Sequence, residues 1–301
     1  MTSRLSEIEN RMATAHQLDA VIGAMRGIAA AREREAQQRL AGIRSVAATV
    51  GEAIGMALAA ASRDDPRDLP LERDLAPVLI VLCTEQGFVG GFNERLLERA
   101  ESMKSRAAAV VFIAGTRGAM LAGERGLAFD WSVPMASHAN DVMRVAGRIS
   151  DAVFKRFNDR AASEIWLVHA MPAQDAQAPI VTRRLVPFDF DRFKTASHAR
   201  QPLLTLPVDR MLTGLAERYV YVELCEGLML SFAAENSARM TAMLAARDHV
   251  AETLNVLKRD ARTARQDEIT SELVELAVTA APPWGSVRAK GARDSLSDGI
   301  S

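Results

Sequence analysis

The chain has 301 residues, a net charge of −1, and a composition that is 49% apolar, 25% charged and only 5% aromatic. A nearly neutral balance gives no basis for nucleic acid or an anionic membrane surface as partner. The length allows one or two domains with a sizeable core.

Residues 6–61 contain no proline, and apolar or small residues recur at three- and four-residue steps: Leu5, Ile8, Met12, Ala15, Leu18, Ile22, Met25 and Ala29, then Ala36, Leu40, Ile43 and Ala47. This is a helical stripe as narrow as a coiled-coil seam. Alanine supports it, because alanine loses no side-chain entropy in a helix. Such a helix runs roughly 80 Å at 1.5 Å per residue, longer than a compact domain can bury, so it calls for a partner helix. Residues 62–77 carry Pro66, Pro70 and Pro77 among alternating charges and read as a linker.

The pattern then changes. Residues 78–83 form a short apolar run suited to a buried parallel strand. A loop with Gly87, Gly90 and Gly91 follows, then a predicted helix over 93–106. Residues 109–114 read as a second strand, 116–125 and 138–158 as helices, and 164–170 and 180–187 as further strands. Alternation of this kind predicts an open α/β sheet, Rossmann-like in layout, over residues 78–190. Residues 191–207 read as an irregular connection. Residues 208–281 form a second proline-free stretch with a stripe through Leu212, Tyr219, Leu228, Met243, Leu257 and Ile269, and the polar segment 282–301 reads as a disordered tail. The predicted fold is α/β: an antiparallel coiled coil of the N- and C-terminal helices (residues 1–61 and 208–281) with an α/β domain inserted between them.

Several features exclude common chemistries. The five histidines lack metal-ligand spacing, and there is no Cys-x-x-Cys. The glycine-rich loop lacks both the Gly-Lys-Ser/Thr ending of a phosphate-binding loop and dinucleotide spacing, so it reads as a tight turn. No nucleophile motif stands out. The sequence therefore implies no cofactor, no metal and no catalytic residue. Cys83 and Cys225 read as buried thiols of a reducing compartment. No apolar run approaches the about 18–20 residues of a membrane span, and the acidic start, with Glu7 and Glu9, suits neither a signal nor a transit peptide.

Four stretches carry a resemblance. Ala234-Glu235-Asn236-Ser237-Ala238-Arg239-Met240, followed by Ala242-Met243, is one. Ala264-Arg265-Gln266 with Ile269-Thr270-Ser271-Glu272 is the second. Cys83-Thr84-Glu85-Gln86-Gly87 running to Gly90-Gly91-Phe92-Asn93 is the third, and Ala24-Met25 with Ile28-Ala29-Ala30-Ala31-Arg32 is the weakest. In this order they resemble the gamma subunit of F-type ATP synthases. The departures are Ala20-Val21-Ile22-Gly23 in place of a basic run, Thr279-Ala280 in place of Gly-Ala, and Leu204-Thr205-Leu206-Pro207 in place of an acidic, aromatic patch. They suggest a divergent bacterial member; the alternative F-type ATPases, some sodium-translocating, are one such group.

The resemblance implies a non-catalytic rotor shaft that couples ion-driven rotation to ATP synthesis or hydrolysis. It implies the alpha and beta catalytic subunits, the epsilon subunit and the membrane c-ring as partners, with a peripheral position on the cytoplasmic face of a bacterial inner membrane and no direct insertion. Matching positions assign polar contacts with the catalytic subunits to Arg265, Gln266, Thr270 and Glu272, and coupling roles to Met25 and Arg239. Taken alone, Arg239 and Glu235 are an ordinary i,i+4 pair worth a few tenths of a kcal/mol. The alternatives are a coiled-coil scaffold or assembly protein, which would bind partners without affecting ATP turnover, and a small-molecule enzyme built around residues 85–93.

Overall fold

A computed structural model describes residues 2–60, 75–159, 162, 164–172, 178–188, 193 and 206–280. The predicted linker lies largely, and the polar tail wholly, outside the described residues, as does nearly all of the irregular connection.

Helix α1 spans Thr2–Ala60 and α5 spans Val208–Ala280. Between them come β1 (Val78–Leu82), α2 (Phe92–Ala107), β2 (Val110–Ala114), α3 (Thr116–Glu124), β3 (Trp131–Val133), α4 (Val142–Asn158), β4 (Ile165–Ala170) and β5 (Ile180–Val186). The five strands form one sheet in the order β3-β2-β1-β4-β5. Strands β3, β2, β1 and β4 are parallel, and β5 returns antiparallel to β4. This is the mixed α/β fold with long terminal helices that the sequence pattern predicts.

Strand β1 is buried throughout, which is why it reads as a continuous apolar run rather than an alternating one. Leu79, Val81 and Cys83 pack with Phe92, Leu96, Leu97 and Ala100 of α2 and Ala122 of α3. Val78, Ile80 and Leu82 join a second core with α4, with Ala36, Leu40 and Ile43 of α1, and with Val220, Leu224 and Leu228 of α5. Both long helices thus complete one face of the sheet. Gly227 permits the close approach of α5: a Cβ there would lie 2.5 Å from Leu167 Cδ2. Gly118 does the same for α3, where a Cβ would fall 2.0 Å from Cys83 Cβ.

The chain divides into two compact units, Ala20–His249 and the pair of segments Met1–Asp19 and Val250–Ser301. The first holds the sheet. It also holds a charged cluster in which Glu226 of α5 accepts from Arg44 Nε of α1 at 2.9 Å, and Arg183 of β5 bonds both Glu223 and Glu226. In the second, Ile8, Leu254 and Leu257 are buried.

One expectation needs correction. By length and composition α1 does contain a candidate membrane span, an 18-residue window within Arg4–Ala60 with mean hydropathy 1.3. Its alanines score as apolar without forming a visible run of large side chains, and alanine equally favours a helix outside a membrane.

Candidate functional site: two contrasting arginine clusters

The loop after β1 is held from several directions. At its start, Thr84 N donates to Asn93 Oδ1 at 3.0 Å, and Asn93 Nδ2 donates to Thr84 Oγ1 at 2.8 Å; both side chains are buried. This reciprocal bond fastens the strand end to the first turn of α2, which begins after Gly91 without a side-chain cap. Next, the Glu85 carboxylate accepts from Thr116 N at 3.0 Å, Thr116 Oγ1 at 2.7 Å and Met135 N at 2.8 Å. Three donors, two of them at the first residue of α3, fit a negative charge at a helix N-terminus.

The loop's far side meets α5. Arg239 Nη2 pairs with Glu235 Oε1 at 2.6 Å, and both side chains are only 6% exposed. The same guanidinium donates to the carbonyls of Gly87 (3.3 Å) and Gln86 (3.4 Å) and to Asn236 Oδ1 (3.3 Å). Arginine's planar fork can span a carboxylate and backbone carbonyls at once. The pair that reads from sequence as an ordinary i,i+4 contact is therefore a buried ion pair. Burial pushes the Glu235 carboxyl up to about 7, with Arg239 pulling it back. Burial likewise raises the Cys83 thiol beside it to about 12, so this cysteine is an inert core group. The Gln86 and Gly87 carbonyls of the glycine-rich loop are thus turned onto Arg239.

The other predicted contact residues lie elsewhere. Met25 is half-buried on α1, next to the exposed apolar residues Val21 and Ile28. Arg265, Gln266, Thr270 and Glu272 are all exposed along α5. Arg265 Nη2 reaches Glu9 Oε1 at 3.3 Å, a pair with side chains 65% and 53% exposed. Thr270 Oγ1 donates to the Gln266 backbone carbonyl at 2.8 Å, so its hydroxyl is bonded back onto the helix. Around them Ile269, Leu273, Val274, Leu276 and Val278 are exposed. Among the described residues, no group of His, Cys, Asp and Glu is arranged to hold a metal ion.

Sequence reasoning missed the bonding of Thr84, Glu85 and Asn93, and the burial of Glu235. The available signal was that two of the four recognised stretches, the loop and residues 234–243, are rich in polar groups set among apolar ones. Such groups must find partners if buried.

The family model described as ATP synthase matches residues 4–281. The chain is similar to the ATP synthase gamma chain of Streptomyces avermitilis (26% identity over 290 residues, covering 92% of this chain and 95% of the relative). It is also similar to that of Nostoc punctiforme (27% over 308 residues, 91% and 97%). Among solved structures, the fold matches a chain of the Euglena gracilis mitochondrial ATP synthase OSCP/F1/c-ring assembly, with a TM-score of 0.65 at 12% identity, covering 97% of this chain and all of that one. A chain of the rotor of the same organism's enzyme matches with a TM-score of 0.61 at 12% identity, covering 89% and 100%.

Proposed function

The chain belongs to the ATP synthase gamma family and is the non-catalytic central-stalk subunit of such a complex, and on that premise we propose how it couples rotation to chemistry. Its partners are the alpha, beta and epsilon subunits and the c-ring, and the exposed end of α5 is the part that meets the alpha and beta subunits. As a peripheral subunit it sits on the cytoplasmic face of a bacterial inner membrane. Arg265, Gln266, Thr270 and Glu272 act as polar grips on the catalytic subunits, and Met25 contributes from α1.

The observation that supports this reading is the exposed end of α5. Five large apolar side chains between Ile269 and Val278 are exposed beside the exposed polar residues Arg265, Gln266, Thr270 and Glu272. An apolar surface of this kind marks a contact with another protein. The grips suit it because charge-assisted hydrogen bonds are directional and can break and reform between orientations. An asymmetric shaft then touches each catalytic site differently. It shifts a site between open and closed forms only by the difference in contact energy between them.

The test is co-expression with the alpha and beta subunits, followed by ATP hydrolysis with and without the paired Arg265→Ala, Gln266→Ala change. The reading predicts that the chain co-purifies as the single shaft of the assembly and that the double change alters turnover without dissolving the complex. A chain that stays free, or that binds while turnover ignores both it and the double change, makes the scaffold reading the better one.

A further inference from the structure

The loop after β1 has a feature that neither its glycines nor its sheet contacts account for. Phe88 adopts φ 62° and is 68% exposed. A bulky non-glycine residue in the left-handed region persists only where its surroundings over-determine it. Phe88 gains no core burial in return. The residues that hold the loop beside it are the carbonyls of Gln86 and Gly87 bonded to Arg239, and Arg239 in turn rests on Glu235.

We infer that Glu235 is a positioning residue for coupling: it neutralises and aims the Arg239 guanidinium, so that α5 grips the loop at residues 86–88. The inference rests on the proposed function, since it gives the shaft helix a fixed hold on the α/β domain. Removing Glu235 would leave a buried guanidinium bonded only to neutral oxygens, free to turn away from the carbonyls. Among the described residues, the charged or titratable groups that act on Glu235 are Arg239 on its own helix, Arg32 from α1, Glu85 from the loop and Cys83 at the end of β1.

This arrangement gives a pH signature. The Glu235 carboxyl is pushed up to about 7, first by burial and then by Glu85, against the opposing pull of Arg239 and Arg32. Acidification through that value protonates it and removes the charge from its bond to Arg239, which weakens the grip. The folded state as a whole gains over the same interval, because a neutral carboxyl is easier to bury. Loop order and global stability therefore move in opposite directions, and turnover in the assembled complex separates a coupling role from a merely structural one.

The test places a nitroxide on the full chain at Phe88→Cys. Cys83 and Cys225 are buried, with thiols raised to about 12 and about 11, so the label goes to the loop. The expected spectrum is ordered at pH 8 and loosens as pH falls through about 7. In Glu235→Gln it is loose at both values with no transition. Arg239→Lys, which keeps the charge pair but lacks the fork, loosens the loop too and carries the test if Glu235→Gln does not fold. In the complex, unlabelled Glu235→Gln and Arg239→Lys chains that still assemble lower turnover at saturating ATP by about two- to thirtyfold. An equally ordered label in these variants, or a loosened loop with unchanged turnover, overturns the inference while the proposed function stands. An unaltered chain that fails to join the complex overturns both.

Discussion

Helix α5 carries two arginines that match motif positions, and each faces a glutamate. Arg239 and Glu235 are each 6% exposed, while Arg265 and Glu9 are 65% and 53% exposed. The first pair also binds two backbone carbonyls of a strand-end loop; the second stands in solvent. Similar chemistry thus stands in opposite surroundings. Burial makes the first pair costly to disturb, because either charge left alone cannot recover its hydration. Exposure makes the second pair weak and screened, with a net worth of about 0–1 kcal/mol. A weak internal bond is what a group that must exchange partners requires, and a buried one is what a fixed joint requires.

The largest expected effect breaks the buried joint. Arg239→Ala should cost about 3–5 kcal/mol in urea unfolding, since it leaves Glu235 buried and unpaired. The loss should be larger at pH 8 than at pH 5. Without Arg239 nothing on its own helix holds the Glu235 proton affinity down, and at pH 5 the carboxyl protonates and escapes most of the penalty. Equal losses at both values would mean that the carboxylate is not what suffers. Slightly smaller is the effect of an apolar deletion on the same helix. Leu224 is fully buried against the sheet, so Leu224→Ala should cost about 2–5 kcal/mol. Leu276 is 64% exposed, and Leu276→Ala should stay within about 0.5 kcal/mol by the same measurement.

The third prediction uses pH alone. His169 on β4 is fully buried, and burial lowers its pKa from 6.5, with Arg183 pushing the same way and the Ala170 carbonyl, Glu226 and Glu223 opposing. Below pH 6.5 the unfolded chain takes up a proton that the folded chain refuses, so stability should fall with acidification. Glu235 acts in the reverse sense: from 4.5 to about 7 the folded chain holds the proton, so this group lowers stability as pH rises. His169→Gln should therefore leave a stability profile that declines with pH, and Glu235→Gln one that rises with it. Parallel profiles for the two variants would refute the assignment.

The same contrast explains what was legible in the sequence. Strands β1 and β2 could be read because burial on both faces produces unbroken apolar runs, and β4 because its run breaks only at the buried His169. Strand β3 could not, because Trp131-Ser132-Val133 is too short to show a period and exists through its pairing with Phe112, Ile113 and Ala114. The long helices were legible from spacing and the absence of proline. The i,i+4 spacing of Glu235 and Arg239 is identical in a solvated pair and a buried one, so only the neighbouring loop, some 150 residues away in the chain, decides between them. Arg265 and Gln266 were selected by resemblance, and their exposure is what spacing on a helix face suggests.

The smallest expected effect sharpens the comparison from the exposed side. Arg265→Ala removes one ion pair that is more than half exposed at both ends. Such a change should move unfolding free energy by less than about 0.5 kcal/mol, and added salt should erase even that difference. If Arg265 grips a partner, the same substitution nevertheless alters turnover in the assembled complex, because the energy it contributes is realised only across the interface. Thermal unfolding of the isolated chain and hydrolysis by the complex therefore separate the two uses of arginine on this helix. Arg239→Lys should disturb the isolated chain first and the complex as a consequence. Arg265→Ala should be silent in the isolated chain and visible in the complex alone. A clear loss of stability on removing Arg265 would place it with Arg239 as part of the internal framework, and the division of α5 into joint and grip would fail.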